Sequence, residues 1–425
     1  MSIAELYEIY LKYPSPQTDT RSLKEGDLFF ALKGPNFNGN KFAEQALALG
    51  AAYVVADEQL FADNDRILIV DNVLLTLQDL AKHHRQHFNI PFIAITGSNG
   101  KTTTKELVHA VLSTRFQCYT TKGNLNNHIG IPLTILAVRN DAEIAVIEMG
   151  ANHLLEIAGY CQYTMPTHGI ITNCGKAHLE GFGGIEGVRK GKGELYDFLR
   201  ANEGSAFVMW DYDYLREMSK GIHEVVTYGT HDASVTGHAD TNQTFLSVAF
   251  DSGFEAKRID TQLVGDYNLP NVLVAVTVGK HFDVPDPEIR KAIENYTPSN
   301  SRSQLIEKNG ARIVLDAYNA NPSSMKVAIE NFAGMPGNNK VLILGAMAEL
   351  GPESIAEHQG IVELIGKYDW TNVVLVGGDF TKIKTPYMTY TSAAEAGEWL
   401  KSQETRGMSM LVKGSRSMKM EDVIK

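Results

Sequence analysis

Cysteine is scarce in this chain. Its three residues, Cys118, Cys161 and Cys174, are too few and too irregularly spaced for a disulfide framework or a zinc site, and read as reduced packing residues. No run approaches the roughly 20 apolar residues of a membrane span. The N-terminal MSIAELYEIYLKYPSP has no basic region followed by an apolar one, so a cytoplasmic protein without membrane insertion is expected. Cations are in the minority, with 39 Lys plus Arg against 50 Asp plus Glu and a formal charge of −11. That balance speaks against nucleic acid as a partner but leaves room for local basic sites that hold small phosphorylated ligands. Low-complexity stretches and fixed-period repeats are lacking too, which excludes a disordered chain or a solenoid.

What is present is a globular composition, 44% hydrophobic over 425 residues, enough for two or three domains. Short apolar runs recur from residue 92 on: FIAIT, AVIEMG, GIITN, RIVLDA, VLILGA, VVLVGG and MLVKGS. They read as buried parallel strands. Between them lie helical patterns such as TTTKELVHAVL, with Leu107, Val108, Val111 and Leu112 on one face, so the fold class is α/β. Residues 1–88 have shorter elements, the turn-rich KGPNFNGNKF and one helical stretch over 42–49, and form a small separate α/β domain. A polar, turn-prone TPSNSRS at 297–303 marks a second break. The expected domains are therefore 1–88, 89–298 with a mostly parallel sheet, and 299–425 with a fresh strand-helix series. Within 201–265, the alternation in TFLSVAF suits antiparallel strands.

The strand at Phe92 runs into TGSNGKTTT and then a helix, the context of a phosphate-binding loop. Glycines let the N–H groups of Thr96, Gly97, Ser98, Asn99, Gly100 and Thr103 converge on phosphate oxygens. Lys101 neutralises charge, and Thr102 ligates magnesium. The strict pattern needs a glycine where Ile95 stands, so the signal is GKT in context. Glu148 and His178 follow apolar strands, where ligands sit in parallel sheets, and together offer oxygen and nitrogen to a second divalent cation. GKGELYDFL places Lys192 and Glu194 at a helix start. The amide-rich GNLNNHIGIP, with Asn124, Asn126 and Asn127, reads either as a polar-substrate contact or as an Asn-rich turn.

Taken together these segments resemble the Mur ligases, and the match runs nearly end to end. It starts with DTRSLKEGDLFFALKGPNFNGNKF, continues through TGSNGKTT, GNLNNHIGIP, IEMGANH, TNCGKAHLEGFG and KGEL, and ends with DAYNANPSS, AMAELGPES and LVKGSRSMKMEDV. The resemblance implies a uridine-nucleotide-binding N-terminal domain, with Thr20, Arg21 and Asn38 on the substrate, a central P-loop ATPase domain and a Rossmann-like C-terminal domain. It implies ATP and Mg2+, with Lys101 on the β- and γ-phosphates, Thr102 on one magnesium, and Glu148 and His178 on another. Lys192 aligns with a lysine that the family carbamylates into an anionic metal ligand. Asn271 is implied as an adenine contact, Arg302 as the arginine reaching the γ-phosphate, and Asp316 as a residue where the third domain meets the nucleotide. Asn319, Asn321, Lys413 and Ser415 are implied to line the closed cleft.

The C-terminal third is most similar to members that join D-Ala-D-Ala to UDP-MurNAc-tripeptide through an acyl phosphate. A member adding one amino acid, or a nucleotide-switched scaffold without turnover, stays as an alternative. A monomer that is open without ligands and closes on its small-molecule substrates is expected. The chain departs from the family pattern at Tyr267, Ser301 and Ala346, and in WDYD from Trp210 to Asp213.

Overall fold

Each series of buried aliphatic runs becomes the centre of a sheet, and there is one large sheet per domain. The computed structural model describes residues 1–58, 64–240, 244–298 and 302–425. The expected break after residue 298 and the departure at Ser301 lie outside the described residues.

The central sheet has nine strands, in the order Arg258–Val264, Phe245–Ser252, Val235–Asp240, Glu224–Gly229, Ser205–Met209, His168–Ile171, Phe92–Thr96, Ile144–Glu148 and Cys118–Thr120. Its last seven are parallel, and only the hairpin-connected strands around TFLSVAF pair antiparallel. Phe92–Thr96 and Ile144–Glu148 are buried at every position, as a sheet covered on both faces requires. Leu107, Val108, Val111 and Leu112 are all fully buried on one face of helix Lys101–Leu112.

The N-terminal domain is a four-stranded parallel sheet, ordered Pro16–Gln17, Leu28–Phe30, Tyr53–Ala56 and Ile67–Ile69. Besides the expected short helix, Ala43–Ala48, it carries helices Ile3–Lys12 and Val73–Arg85. Both have readable signals. Ser2 and Glu5 form a capping box, and Asn72 accepts from the Leu75 N–H at 2.9 Å ahead of the buried series Val73, Leu77, Leu80 and Ala81. In the C-terminal domain Gln304–Lys308 runs antiparallel to Ala311–Asp316. That strand is followed across the sheet by parallel Ser409–Lys413, Lys340–Gly345, Asn372–Val376 and Met388–Tyr390.

One expectation is corrected. Lys192 and Glu194 lie in the middle of helix Ile185–Ala201, which begins after Gly183 and Gly184, at φ 72° and 107°. The glycines of GKGEL mimic a helix boundary, but Gly191 is there for packing, since a Cβ on it would meet the Phe182 ring at 2.4 Å. Cys161 and Cys174 are buried, Cys118 is half-buried, and all three are free. Among the described residues no helix is long and apolar enough to cross a membrane.

Arg85, at the end of the N-terminal domain, joins it to the central one. Its guanidinium donates to the carbonyls of Thr164 at 2.9 Å, Met165 at 3.0 Å and Phe88 at 2.7 Å, and lies 3.9 Å from the Phe92 ring centroid. The Thr164 and Met165 carbonyls close helix Glu156–Thr164 and have no partner further along it. Burial lowers the arginine's pKa to about 10, still charged at neutral pH. Arg85→Met keeps much of the bulk but strands these carbonyls, and the expected cost is about 2–4 kcal/mol. Equilibrium urea unfolding measures this; a midpoint unchanged from the parent would refute the assignment.

Candidate functional site

The phosphate loop leaves the middle of the central sheet and is held from both sides. Gly97 passes so close to the neighbouring strand end, at φ 144°, that a Cβ there would fall 1.9 Å from Thr172 Oγ1. Gly100, at φ 82°, opens helix Lys101–Leu112, and a Cβ on it would meet Asn271 Oδ1 at 2.7 Å. These two positions need glycine to make the cradle. Thr96 Oγ1 donates to Met149 O at 2.8 Å, and Ser98 Oγ to Gly175 O at 2.8 Å. The Asn99 N–H donates to Asn173 Oδ1 at 3.1 Å, while Thr172 Oγ1 donates to Asn99 O at 2.6 Å. Thr172 and Asn173 therefore set the loop's shape, a role that their place in the quoted TNCGKAH did not reveal. Thr102 is buried at the helix start, and Thr103 beside it is half-buried.

Lys101 Nζ donates to Gly97 O at 2.7 Å, folding back over the loop it serves. Desolvation lowers its pKa, Glu148 opposes that fall, and Arg302 adds to it. Loop lysine, sheet carboxylate and third-domain arginine thus share one electrostatic neighbourhood. Asn271 is buried beside the loop, accepting from Thr104 Oγ1 at 3.0 Å and donating to Asn268 Oδ1 at 2.9 Å.

Glu148 is 1% exposed. Its Oε1 accepts from Asn126 Nδ2 at 2.7 Å, and its buried Oε2 has no hydrogen-bond partner among the described residues. A buried carboxylate oxygen in that state fits a cation. Lys192, also 1% exposed, donates to Ala151 O at 3.2 Å, and its Nζ is 5.0 Å from the Phe182 ring centroid. Burial, and after it the nearby Lys101 charge, pushes its pKa down to about 7. His178, left-handed at φ 52°, pairs through Nδ1 with Glu349 of the C-terminal domain, a contact that lowers the Glu349 carboxyl. Among the described residues no three His, Cys, Asp or Glu side chains gather as a metal cluster. Glu148 is thus the one carboxylate offered to a cation here, with the neutral nitrogen of His178 as the other candidate ligand.

The C-terminal domain meets the loop directly. Asn321 Nδ2 donates to Asn99 Oδ1 at 2.8 Å, while its Oδ1 caps helix Pro322–Gly334 through the Ser324 N–H at 2.9 Å. The Arg302 guanidinium stacks 3.6 Å from the Tyr318 ring centroid. Asp316, Asn319, Lys413 and Ser415 are instead tied within their own domain. Asp316 accepts from Lys413 Nζ at 2.5 Å and from the Ser303 N–H at 3.2 Å. Lys413 also reaches Asn319 O at 3.3 Å, and Ser415 Oγ donates to Ala346 O at 2.7 Å. Of the departures, Tyr267 joins the two domains, with its hydroxyl 2.8 Å from Ser303 Oγ, and Ala346 is buried against Gly378. In WDYD, Asp211 accepts from the Thr230 N–H at 3.0 Å and holds a turn.

The remaining substrate candidates divide. Asn126 reaches Glu148, but Asn127 Oδ1 accepts from the Gly130 N–H at 2.9 Å and starts helix Gly130–Leu136, and Asn124 is exposed. In the N-terminal domain Asn38 donates to Glu58 at 3.0 Å and accepts from the Asn40 N–H at 3.0 Å, Arg21 pairs with Asp19 at 2.6 Å, and Thr20 is half-buried. Asn38 and Asn127 thus have structural work regardless of any ligand.

Three family models match consecutive parts of the chain: "Mur ligase family, catalytic domain" over 17–89, "Mur ligase middle domain" over 95–279 and "Mur ligase, glutamate ligase domain" over 301–416. The UDP-N-acetylmuramoyl-tripeptide–D-alanyl-D-alanine ligase of Bacillus subtilis is 33% identical over 421 residues, 96% of this chain and 92% of the relative. The Escherichia coli ligase of the same name is 35% identical over 420 residues, with the same coverage. Among solved structures, MurF from Acinetobacter baumannii superposes with a TM-score of 0.89 at 28% identity, covering 99% of this chain and 97% of that one. MurF from Thermotoga maritima in complex with ADP gives 0.86 at 27%, covering 97% and 96%. With a phosphate loop, a buried carboxylate and an arginine-bearing third domain converging in one place, and with relatives matched along almost the whole length, the chain belongs to the Mur ligase family.

Proposed function

We propose that the protein joins D-alanyl-D-alanine to UDP-N-acetylmuramoyl-tripeptide at the expense of ATP, giving the pentapeptide precursor used in peptidoglycan synthesis. The observation that carries the reading is the cationic, desolvated neighbourhood of Lys101 and Arg302 next to the orphaned Glu148 oxygen. The named relatives direct that chemistry to the tripeptide and the dipeptide. We assign the domains as 1–88, 89–298 and 299–425, since the strands of the three main sheets fall within 16–69, 92–264 and 304–413. One chain supplies every proposed contact, so a monomer suffices, and the cytoplasm, where nucleotide-linked substrates and ATP are found, is its proposed location.

A carboxylate at neutral pH is a poor electrophile, and amide formation needs it activated. The tripeptide carboxylate takes the γ-phosphoryl group, ADP leaves, and the dipeptide amine displaces phosphate from the acyl phosphate. The protein's part is to position and to neutralise charge. Glycine-relieved backbone N–H groups of the loop, Lys101 and Arg302 face the phosphates, Asn271 borders the adenine, and Asn126, Asn319 and Asn321 border the peptide. Thr20, Arg21 and Asn38 are assigned to the uridine-nucleotide end. Thr102 would hold one Mg2+, and Glu148 with Nε2 of His178 would hold another, to supply charge neutralisation on the phosphates. His178 Nδ1 lies against the Glu349 carboxylate, and Nε2 is the nitrogen we assign to the metal.

Lys192 enters this site after reaction with CO2. With its pKa near 7 a substantial fraction is neutral amine at physiological pH, and only the neutral amine can be carbamylated. Domain opening and closing would gate the site, because Arg302 and Asn321 come from the third domain while Lys101 belongs to the second.

Phosphate release assayed with ATP, Mg2+ and UDP-MurNAc-tripeptide is expected to depend on D-Ala-D-Ala; dependence on lysine or diaminopimelate in its place would refute the substrate assignment. In the same assay Lys101→Ala is expected to lower kcat by about 10²–10³-fold or more. Since burial depresses the Lys192 pKa to about 7, neutral amine is gained as pH rises through that value and lost below it. Activity should therefore fall on the acid side of pH 7, and added bicarbonate should lessen the fall. A flat profile from pH 6 to 8 would contradict the carbamate.

A further inference from the structure

Glu194 is only 8% exposed, and the chemistry above gives it nothing to do. Both of its oxygens are taken by backbone. Oε1 accepts from the Leu155 N–H at 2.6 Å and Oε2 from the Ala158 N–H at 2.9 Å. These amides begin helix Glu156–Thr164, whose N-cap residue is Leu155, a side chain unable to accept a hydrogen bond. A carboxylate from another helix does that work, and its charge is favourable at a helix N-terminus. Leu155 itself is left-handed at φ 69° and 74% exposed, a conformation that leucine keeps only where its surroundings impose it.

The same helix, Ile185–Ala201, touches the preceding segment at two more points. Lys192 Nζ donates to Ala151 O at 3.2 Å, and a Cβ on Gly191 would lie 3.5 Å from Leu154 Cδ2. At the other end of this segment the Gly150 N–H donates to Asn126 O at 2.7 Å, and Asn126 holds Glu148. The stretch leading away from Glu148 is thus stitched along helix Ile185–Ala201 at Ala151, Leu154, Leu155 and Ala158. Glu194 supplies the carboxylate bonds in that seam.

We propose that Glu194 is a positioning residue: by clamping Leu155 and Ala158 it fixes the segment after Glu148, and so holds the Lys192 amine where it takes up CO2 beside the metal site. The inference rests on the carbamate reading of Lys192 given above. In that step the lone pair of the neutral Lys192 nitrogen attacks the carbon of CO2. A C=O electron pair moves onto oxygen, and the N–H proton leaves to solvent, giving an anionic carbamate. Glu194 touches neither CO2 nor substrate and acts through the backbone it anchors.

The test is carbamate occupancy in the full-length protein, read by NMR with 13C-bicarbonate, alongside ligation kinetics. The parent is expected to show a carbamate resonance that Lys192→Ala lacks. Glu194→Gln, which keeps the size but replaces one acceptor oxygen with an NH2 group, should need roughly 10-fold more bicarbonate for half-occupancy. Its kcat should fall in parallel and recover with bicarbonate, while KM for ATP stays within about twofold of the parent's, a split that general loss of structure would not give. Glu194→Asp keeps the charge on a shorter stem and should be displaced the same way to a smaller degree, which covers the case of a Gln variant that fails to fold. A parent resonance with an unchanged titration in the Glu194 variants would overturn the inference alone. A parent with no Lys192-dependent resonance would overturn the carbamate reading and the inference together.

Discussion

The site is organised around a half-buried lysine and a fully buried one, the charge of the first bearing on the second. Lys101 belongs to the phosphate loop and Lys192 to the middle of a packed helix, and the charge on Lys101 helps to depress the pKa of Lys192. Two neighbouring ammonium groups are costly, because desolvation of Lys192 outweighs the attraction of the acidic groups near it and the Lys101 charge adds repulsion. The cheapest resolution is for Lys192 to lose its proton, which is also what makes its nitrogen a nucleophile. Around the two lysines, among the described residues, Glu148 keeps one oxygen unpartnered, Gly191 lets the helix approach Phe182, and the Ala151 carbonyl accepts from the amine.

A second consequence is that no one domain carries a finished site. The central sheet presents loop and carboxylate on adjacent parallel strands, the expected place for a ligand in an open α/β sheet. Arg302, beyond the second domain break, brings a further positive charge to bear on Lys101. The contacts Asn321 to Asn99 and Lys176 to Glu357, at 2.8 Å and 2.5 Å, bind the third domain to the loops around the phosphate site. These polar contacts lie beside apolar packing, since one buried cluster contains residues of both domains.

The sheets and the loop were legible because their signals are strong and local. FIAIT followed by TGSNGKTTT, and the run of apolar strands from RIVLDA to MLVKGS, leave few alternatives to parallel α/β layers. Helices Ile3–Lys12 and Val73–Arg85 carry caps and periodicity in the sequence, but the turn-rich 33–42 segment is the stronger local signal in that domain. The start of helix Ile185–Ala201 was hidden by glycines whose purpose is packing against Phe182, and packing partners are invisible in one dimension. Roles were harder than elements. Asn38 and Asn127, proposed for the substrate, also satisfy a turn and a helix start, as Asn does for local reasons, and one dimension shows neither. Thr172, Asn173 and Glu194 act on residues far away in the chain, so only the fold identifies them. Lys192 was singled out by resemblance to a family; its burial supplies the physical reason.

A crystal structure grown with ADP, Mn2+ and bicarbonate near pH 8 tests the account most directly. The account predicts an anomalous manganese peak ligated by Glu148, with density for a carboxyl group extending from Lys192 Nζ and His178 ligating through Nε2. Manganese bound elsewhere, with a plain lysine at 192, would contradict it.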